Sequence, residues 1–153
     1  MRPKKRDGID LLRKVWLFER CTRHELEHLR KIASPLDVES GKVLTTEGEI
    51  GREFFVLIHG KAEAVRNGTS VAILGPGSFF GEMSLLERKP RAATVTTLEP
   101  TSVLVINARD FTSLVETVPS VDRKMLIVLA ERLRDVEARF VPAESRVAST
   151  ELA

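Results

Sequence analysis

Residues 79–95 read FFGEMSLLERKPRAATV. Gly81 stands between two phenylalanines and a run with helical spacing, so the chain is expected to turn there and start a short helix with Glu82 in its first turn. The first N–H groups of such a helix have no partner inside it, and with the helix dipole they favour an anion. Ten residues after Gly81, Arg91 offers a forked guanidinium that suits phosphate oxygens. Glu82, at the mouth of the turn, can accept hydrogen bonds from a pair of hydroxyls. An anion beside a vicinal diol describes a nucleotide. Taken singly, Gly81 is a turn residue, Glu82 a charge well placed at a helix start, and Arg91 its ion-pair partner. Together at this spacing, with the strand-like AATVTT following, they ask for more.

Outward from this stretch, residues 42–106 are short apolar runs divided by glycines: KVLTTEG, REFFVLIHG, KAEAVRNGTSVAIL, GPGSFFG, RAATVTTLE and TSVLVI. That rhythm predicts an antiparallel sandwich or barrel. Asn67-Gly68, between AEAVR and TSVAIL, predicts a two-residue type I′ hairpin. Before the sheet, Leu11, Leu12, Val15, Leu17 and Phe18 form an apolar helical face. Thr22 with Glu25 spells a capping box for a second short helix that turns Leu26, Leu29 and Ile32 inward and stops before Pro35. After Ile106, NARD opens a helix through Phe111, Leu114 and Val115 that Pro119 closes, and Ser120 is read as the cap of a long final helix over 121–139. The order is helices, sheet, helices.

The chain has 153 residues, 42% of them hydrophobic, which suits one domain with a core of ordinary proportions. Lys and Arg number 24 against 22 Asp and Glu, a balance that carries no nucleic-acid footprint. Cys21 is the only cysteine, so neither a disulfide framework nor a cysteine zinc cluster is available, and the chemistry suits a reducing cytoplasm. No apolar stretch approaches the roughly 20 residues of a membrane span, and MRPKKRDG leads into charged residues rather than a signal-peptide core. The expected layout is a disordered basic tail at 1–8, one domain at 9–140 and a flexible tail at 141–153.

A rival reading comes from HELEH, residues 24–28, which spells the helical zinc signature with His24 and His28 as ligands and Glu25 as base. Such a helix lies buried beneath its metal and needs a third ligand. Here Glu27 precedes His28, the remaining histidine is His59 in a strand, and Glu25 is already used by the capping box. HELEH is read as a solvent-facing helix surface, with no metal site.

FGEMSLLERKPRAATV resembles, without a gap, the phosphate-binding cassette of the cyclic nucleotide-binding domains of bacterial catabolite regulators, protein kinase regulatory subunits and cyclic-nucleotide-gated channels. The similarity runs from LLRKVWLFERCTRHELEHL through Gly41, Gly48 and Gly60 to LAERLRD, about residues 10–137. The resemblance implies an eight-stranded, jelly-roll-like β-roll with an N-terminal helical segment and C-terminal B and C helices. By position it implies Arg91 on the cyclic phosphate and Glu82 on the ribose 2′-hydroxyl, with Phe80, Gly81, Met83, Ser84, Ala92 and Ala93 completing the cradle. Ala92 stands where cGMP-preferring members often carry threonine, so cAMP is the expected ligand and cGMP the second. A lid over the base is expected from Leu129, Arg132 and Leu133.

The family implies a receptor, not an enzyme, with no cofactor beyond its ligand. The alternatives are an interaction module of the same fold that no longer responds to nucleotide, and a zinc hydrolase through His24-Glu25-His28. Leu126, Leu129, Leu133, Val136 and Phe140 recur at heptad-like spacing in the last helix, which leaves two readings: packing against the roll, or a homodimer seam. About a dozen residues follow that helix, fewer than the DNA-binding domain of the regulators would need. A chain complete as it stands would act on an effector protein in trans or buffer the nucleotide; a piece of a longer chain would have its output elsewhere.

Overall fold

The computed structural model of the chain describes residues 5–140. Among these residues, eight strands form two four-stranded antiparallel sheets flanked by helices, as expected of a β-roll. Helix α1 (Lys5–Lys14) leads through a 3-10 turn (Trp16–Phe18) into α2 (Arg23–Ile32). Strands β1 (Ala33–Val38), β2 (Val43–Thr45), β3 (Glu53–His59), β4 (Ala62–Arg66), β5 (Thr69–Leu74) and β6 (Phe79–Phe80) follow. Then come α3 (Glu82–Glu87), β7 (Thr94–Thr97), β8 (Thr101–Asn107), α4 (Ala108–Thr117) and α5 (Pro119–Phe140). Strand order is β1-β8-β3-β6 in one sheet and β2-β7-β4-β5 in the other.

β3 explains the layering. Its residues Phe54–Leu57 are all buried, because the strand is covered on both faces and alternate side chains enter different cores. Phe54 and Val56 join the helical core with Leu17, Phe18, Leu26, Leu29, Phe111, Leu114, Val121 and Met125. Phe55 and Leu57 join Ala62, Leu74, Phe80, Val95 and Val103 between the sheets. Phe54 also lies 4.7 Å from Phe111, centroid to centroid, which fastens α4 to the roll.

The local expectations are met at the hairpin and at α2. Asn67 and Gly68 both take positive φ, 51° and 76°, as a type I′ turn requires. Thr22 Oγ1 accepts the Glu25 N–H (3.1 Å) and Glu25 Oε1 accepts the Thr22 N–H (2.8 Å). Three expectations are corrected. The sheet begins at Ala33 rather than near residue 42, since β1 follows α2 directly with Pro35 inside it. β1 is an edge strand bonded only to β8, which is where a proline with no N–H is tolerated. Ser120 does not cap the last helix, which begins at Pro119; proline suits a first helical position, where the N–H would be unpaired anyway.

The third correction concerns the apolar stripe of α5. Leu129 packs against the helical core, whereas Leu126, Leu133 and Val136 are exposed, so packing against the roll holds for Leu129 alone. The side chain of Phe140 lies outside the described ones, as do residues 1–4 and the expected tail at 141–153. α1 begins at Lys5, within the stretch 1–8 expected as a tail.

Candidate functional site

β6 delivers the chain to Gly81, whose φ of +93° turns it into α3. A Cβ there would lie 2.9 Å from the Glu53 carbonyl oxygen and 2.8 Å from Arg91 Nη1, so the turn closes tightly only on glycine. Phe80 is buried and stacks on Phe55, with centroids 4.8 Å apart and planes 8° apart. α3 stops at Arg88, itself in the left-handed region with φ 56°.

Arg91 follows this turn and is only 7% exposed. Its Nη1 donates to the Gly81 carbonyl (3.0 Å) and its Nη2 to the Glu53 carbonyl (2.7 Å). Its backbone latches the loop after β2, donating to the Glu49 carbonyl (2.7 Å) and accepting from the Gly48 N–H (2.9 Å). Gly51 lets that loop press close, since a Cβ there would meet the guanidinium carbon and Ser84 Oγ at 2.5 Å. Ser84 is buried and donates to the Lys89 carbonyl (2.6 Å). Burial pushes the Arg91 guanidinium pKa down, while Glu53 and Glu82 push it back up.

A cavity of about 540 Å³ opens beside this assembly, a volume ordinary for a small-molecule site. Met83, Ser84, Arg91 and Ala92 line it from the cassette, and Arg66 and Asn67 line it from the β4–β5 hairpin. The remaining expected site residues lie elsewhere. Ala93 packs against the core between the sheets. Glu82 is 1% exposed and faces α5, where Arg132 Nη1 donates to its Oε1. Burial pushes the Glu82 carboxyl up from its ordinary value, with Arg132 the largest influence in the other direction. Arg132 Nη2 also donates to the Phe79 carbonyl (2.9 Å), and its guanidinium sits 5.1 Å from the Phe79 ring centroid.

Of the expected lid residues, Arg132 therefore touches the cassette, Leu129 is half-buried in the helical core, and Leu133 is 60% exposed. None of the three borders the cavity. His24 and His28 are exposed on α2, and the carboxylate of Glu25 is held by its capping box.

Sequence reasoning missed Glu47, Arg66 and Asn67 on the cavity wall and Gly51 packed behind Arg91. Asn67 was legible as a turn residue, but its approach to the cassette depends on a tertiary contact, the Asn67 N–H donating to Glu47 Oε1 at 2.8 Å. Gly51, in GREFF, carried a signal of a different kind: it lies two residues ahead of β3, and a residue without a Cβ permits close approach.

Comparison with known proteins converges on the same stretch. The family model described as Cyclic nucleotide-binding domain matches residues 35–118, more than half of the chain. A cyclic AMP receptor protein of Thermus thermophilus is 32% identical over 71% of this chain and 55% of its own length. The solved catabolite activator protein of Thermus thermophilus superposes with a TM-score of 0.72 at 29% identity, over 81% of this chain and 61% of that one. A cAMP-bound PfPKA-R structure gives a TM-score of 0.80 over 92% of this chain and 49% of that one; at 24% identity it bears on the fold. The chain thus spans about half the length of these relatives. It belongs to the cyclic nucleotide-binding domain family.

Proposed function

We propose that this chain is a non-catalytic receptor module for cAMP, read through the cavity beside Arg91. The observation that carries the reading is Arg91 itself: a nearly buried cation at a cavity wall, with two of its five N–H donors spent on backbone carbonyls. A buried guanidinium with donors to spare suits a phosphodiester, whose single negative charge would offset its desolvation. Ala92, also on the wall, brings no hydroxyl to a guanine, which favours adenine. The relatives named for cyclic AMP support the same ligand.

Output is assigned to α5. Glu82, the carboxylate matched by position to the ribose contact, is held by Arg132 of that helix. A ribose hydroxyl sharing this carboxylate would alter the grip of α5 on the roll, which is the differential interaction that any ligand-driven shift requires. The exposed Leu126, Leu133 and Val136 supply an apolar stripe for a partner, with a second copy of this chain or an effector in trans as its occupant. Calorimetric titration with cAMP and with cGMP tests the reading: saturable binding with cAMP preferred supports it, and no heat with either nucleotide favours the unresponsive interaction module.

A further inference from the structure

The cavity has a charged wall that the cassette does not account for. Among its ionised side chains, Lys89 pairs with Glu87 at 3.5 Å. Glu47 is committed to the hairpin, with both carboxylate oxygens near the Asn67 N–H, 2.8 and 3.3 Å. Its own N–H donates to Thr94 Oγ1 (2.9 Å), so Glu47 is tied to β7 at one end and to the hairpin tip at the other. Arg91 is bonded inward to carbonyls. Arg66 is different. It is the last residue of β4, it is exposed, and among the described residues its side chain makes no hydrogen bond or ion pair.

Resting on the nucleotide reading above, we infer that Arg66 reads the base, drawing guanine into a site that Ala92 biases toward adenine. The phosphate has its cation in Arg91, so a donor group from outside the cassette is left to face the other end of the ligand. A guanidinium only donates. The N7/O6 edge of guanine presents two adjacent acceptors and takes such a fork in bidentate fashion, whereas adenine presents N7 beside an amino donor. The Glu47 clip holds the hairpin at the cavity mouth, so the fork is delivered by a fixed turn. Selectivity is then a balance of two residues, with Ala92 withholding a hydroxyl from guanine and Arg66 supplying donors to it.

The test titrates the 153-residue chain with cAMP and cGMP in wild type, Arg66→Ala, Arg66→Lys and Arg91→Ala, with circular dichroism to confirm folding. Base reading predicts that the ratio of cGMP to cAMP affinity falls about tenfold in Arg66→Ala. It predicts a similar fall in Arg66→Lys, because lysine keeps the charge and loses the fork. Equal loss for both nucleotides would mean that Arg66 serves the phosphate, and an unchanged ratio in either variant would likewise overturn the inference. Arg91→Ala separates the two levels: if it leaves both affinities intact, the cassette reading itself fails, whereas its loss of binding beside an unaltered Arg66→Ala ratio removes only the role of Arg66.

Discussion

The cassette and the last helix meet at one carboxylate and are held in opposite ways. On the cassette side, Arg91 is 7% exposed and bonded to the Gly81 and Glu53 carbonyls, and its backbone is stitched to the loop at 48–49. Every partner lies within the roll, so Arg91 has little room to move. On the helix side, Arg132 is part-exposed and bridges two elements, reaching from α5 to Glu82 and to the Phe79 carbonyl. The start of α5 is better anchored: Val121 and Met125 are in the helical core, and buried Lys124 bonds the Trp16 carbonyl and Glu19 at 3.2 Å. From Leu133 to Ala138 the helix is exposed. The contrast separates an arginine braced within the roll from a helix tethered to it by one part-exposed side chain.

The largest expected effect is on binding. Arg91→Ala should cost about 2–5 kcal/mol of cAMP affinity, since it strips the countercharge from a largely desolvated phosphate. Calorimetry checks it, with circular dichroism to confirm the fold; unchanged affinity in a folded variant would sink the site. Gly81→Ala attacks the rigid side differently. A side chain at φ +93° and 2.9 Å from a carbonyl oxygen should cost about 1–3 kcal/mol in urea unfolding and weaken binding together with stability. An unaltered urea midpoint would show that the turn tolerates a Cβ.

Arg132→Ala breaks the tether and leaves Glu82 buried without its cation. Removing one partner of a fully buried pair costs about 3–5 kcal/mol. Because Arg132 is 39% exposed, solvent screening lowers the expectation to about 1–2 kcal/mol. Hydrogen exchange in this variant should speed up in the second half of α5 and stay near wild type in the cassette. Equal acceleration in both would mean that the two regions are one cooperative unit.

The smallest effect is the pH dependence of Glu82. Burial raises its folded pKa, so the unfolded chain gives up this proton first. Its contribution to stability is complete below the ordinary value of 4.5 and is lost as pH rises through the raised folded value. Relative to Glu82→Gln, wild type should therefore lose stability as pH climbs above 4.5. A difference that is flat across this window, or that grows in favour of wild type, would contradict the assignment of Glu82 as a desolvated carboxylate.

Local chemistry was legible in the sequence and long-range placement was not. The Asn67-Gly68 turn and the Thr22–Glu25 box are each fixed by neighbours within a few positions, so their residue types announce them. The cassette is legible through its likeness to a family motif, although Arg91 and Glu82 are held by Glu53 and Arg132, 38 and 50 residues away. β1 escaped because its only sheet partner, β8, lies about 65 residues away and its own text, ASPLDV, contains proline and polar residues. The cavity wall at Glu47 and Arg66 escaped for the same reason: the clip between Glu47 and Asn67 spans 20 residues and leaves no periodic trace. The sequence marks Arg132 only by its place in the last helix, and its contact with Glu82, 50 residues away, exists only in three dimensions.

Hydrogen exchange of the wild-type chain with and without cAMP, resolved by residue, follows the path from the cassette to α5. A site that receives the nucleotide at the cassette and passes its binding to α5 through Glu82 and Arg132 predicts slowed exchange at residues 80–95 and, in the same titration, at residues 125–137. Protection confined to residues 80–95, with the last helix unaffected at saturation, would contradict transmission along this path.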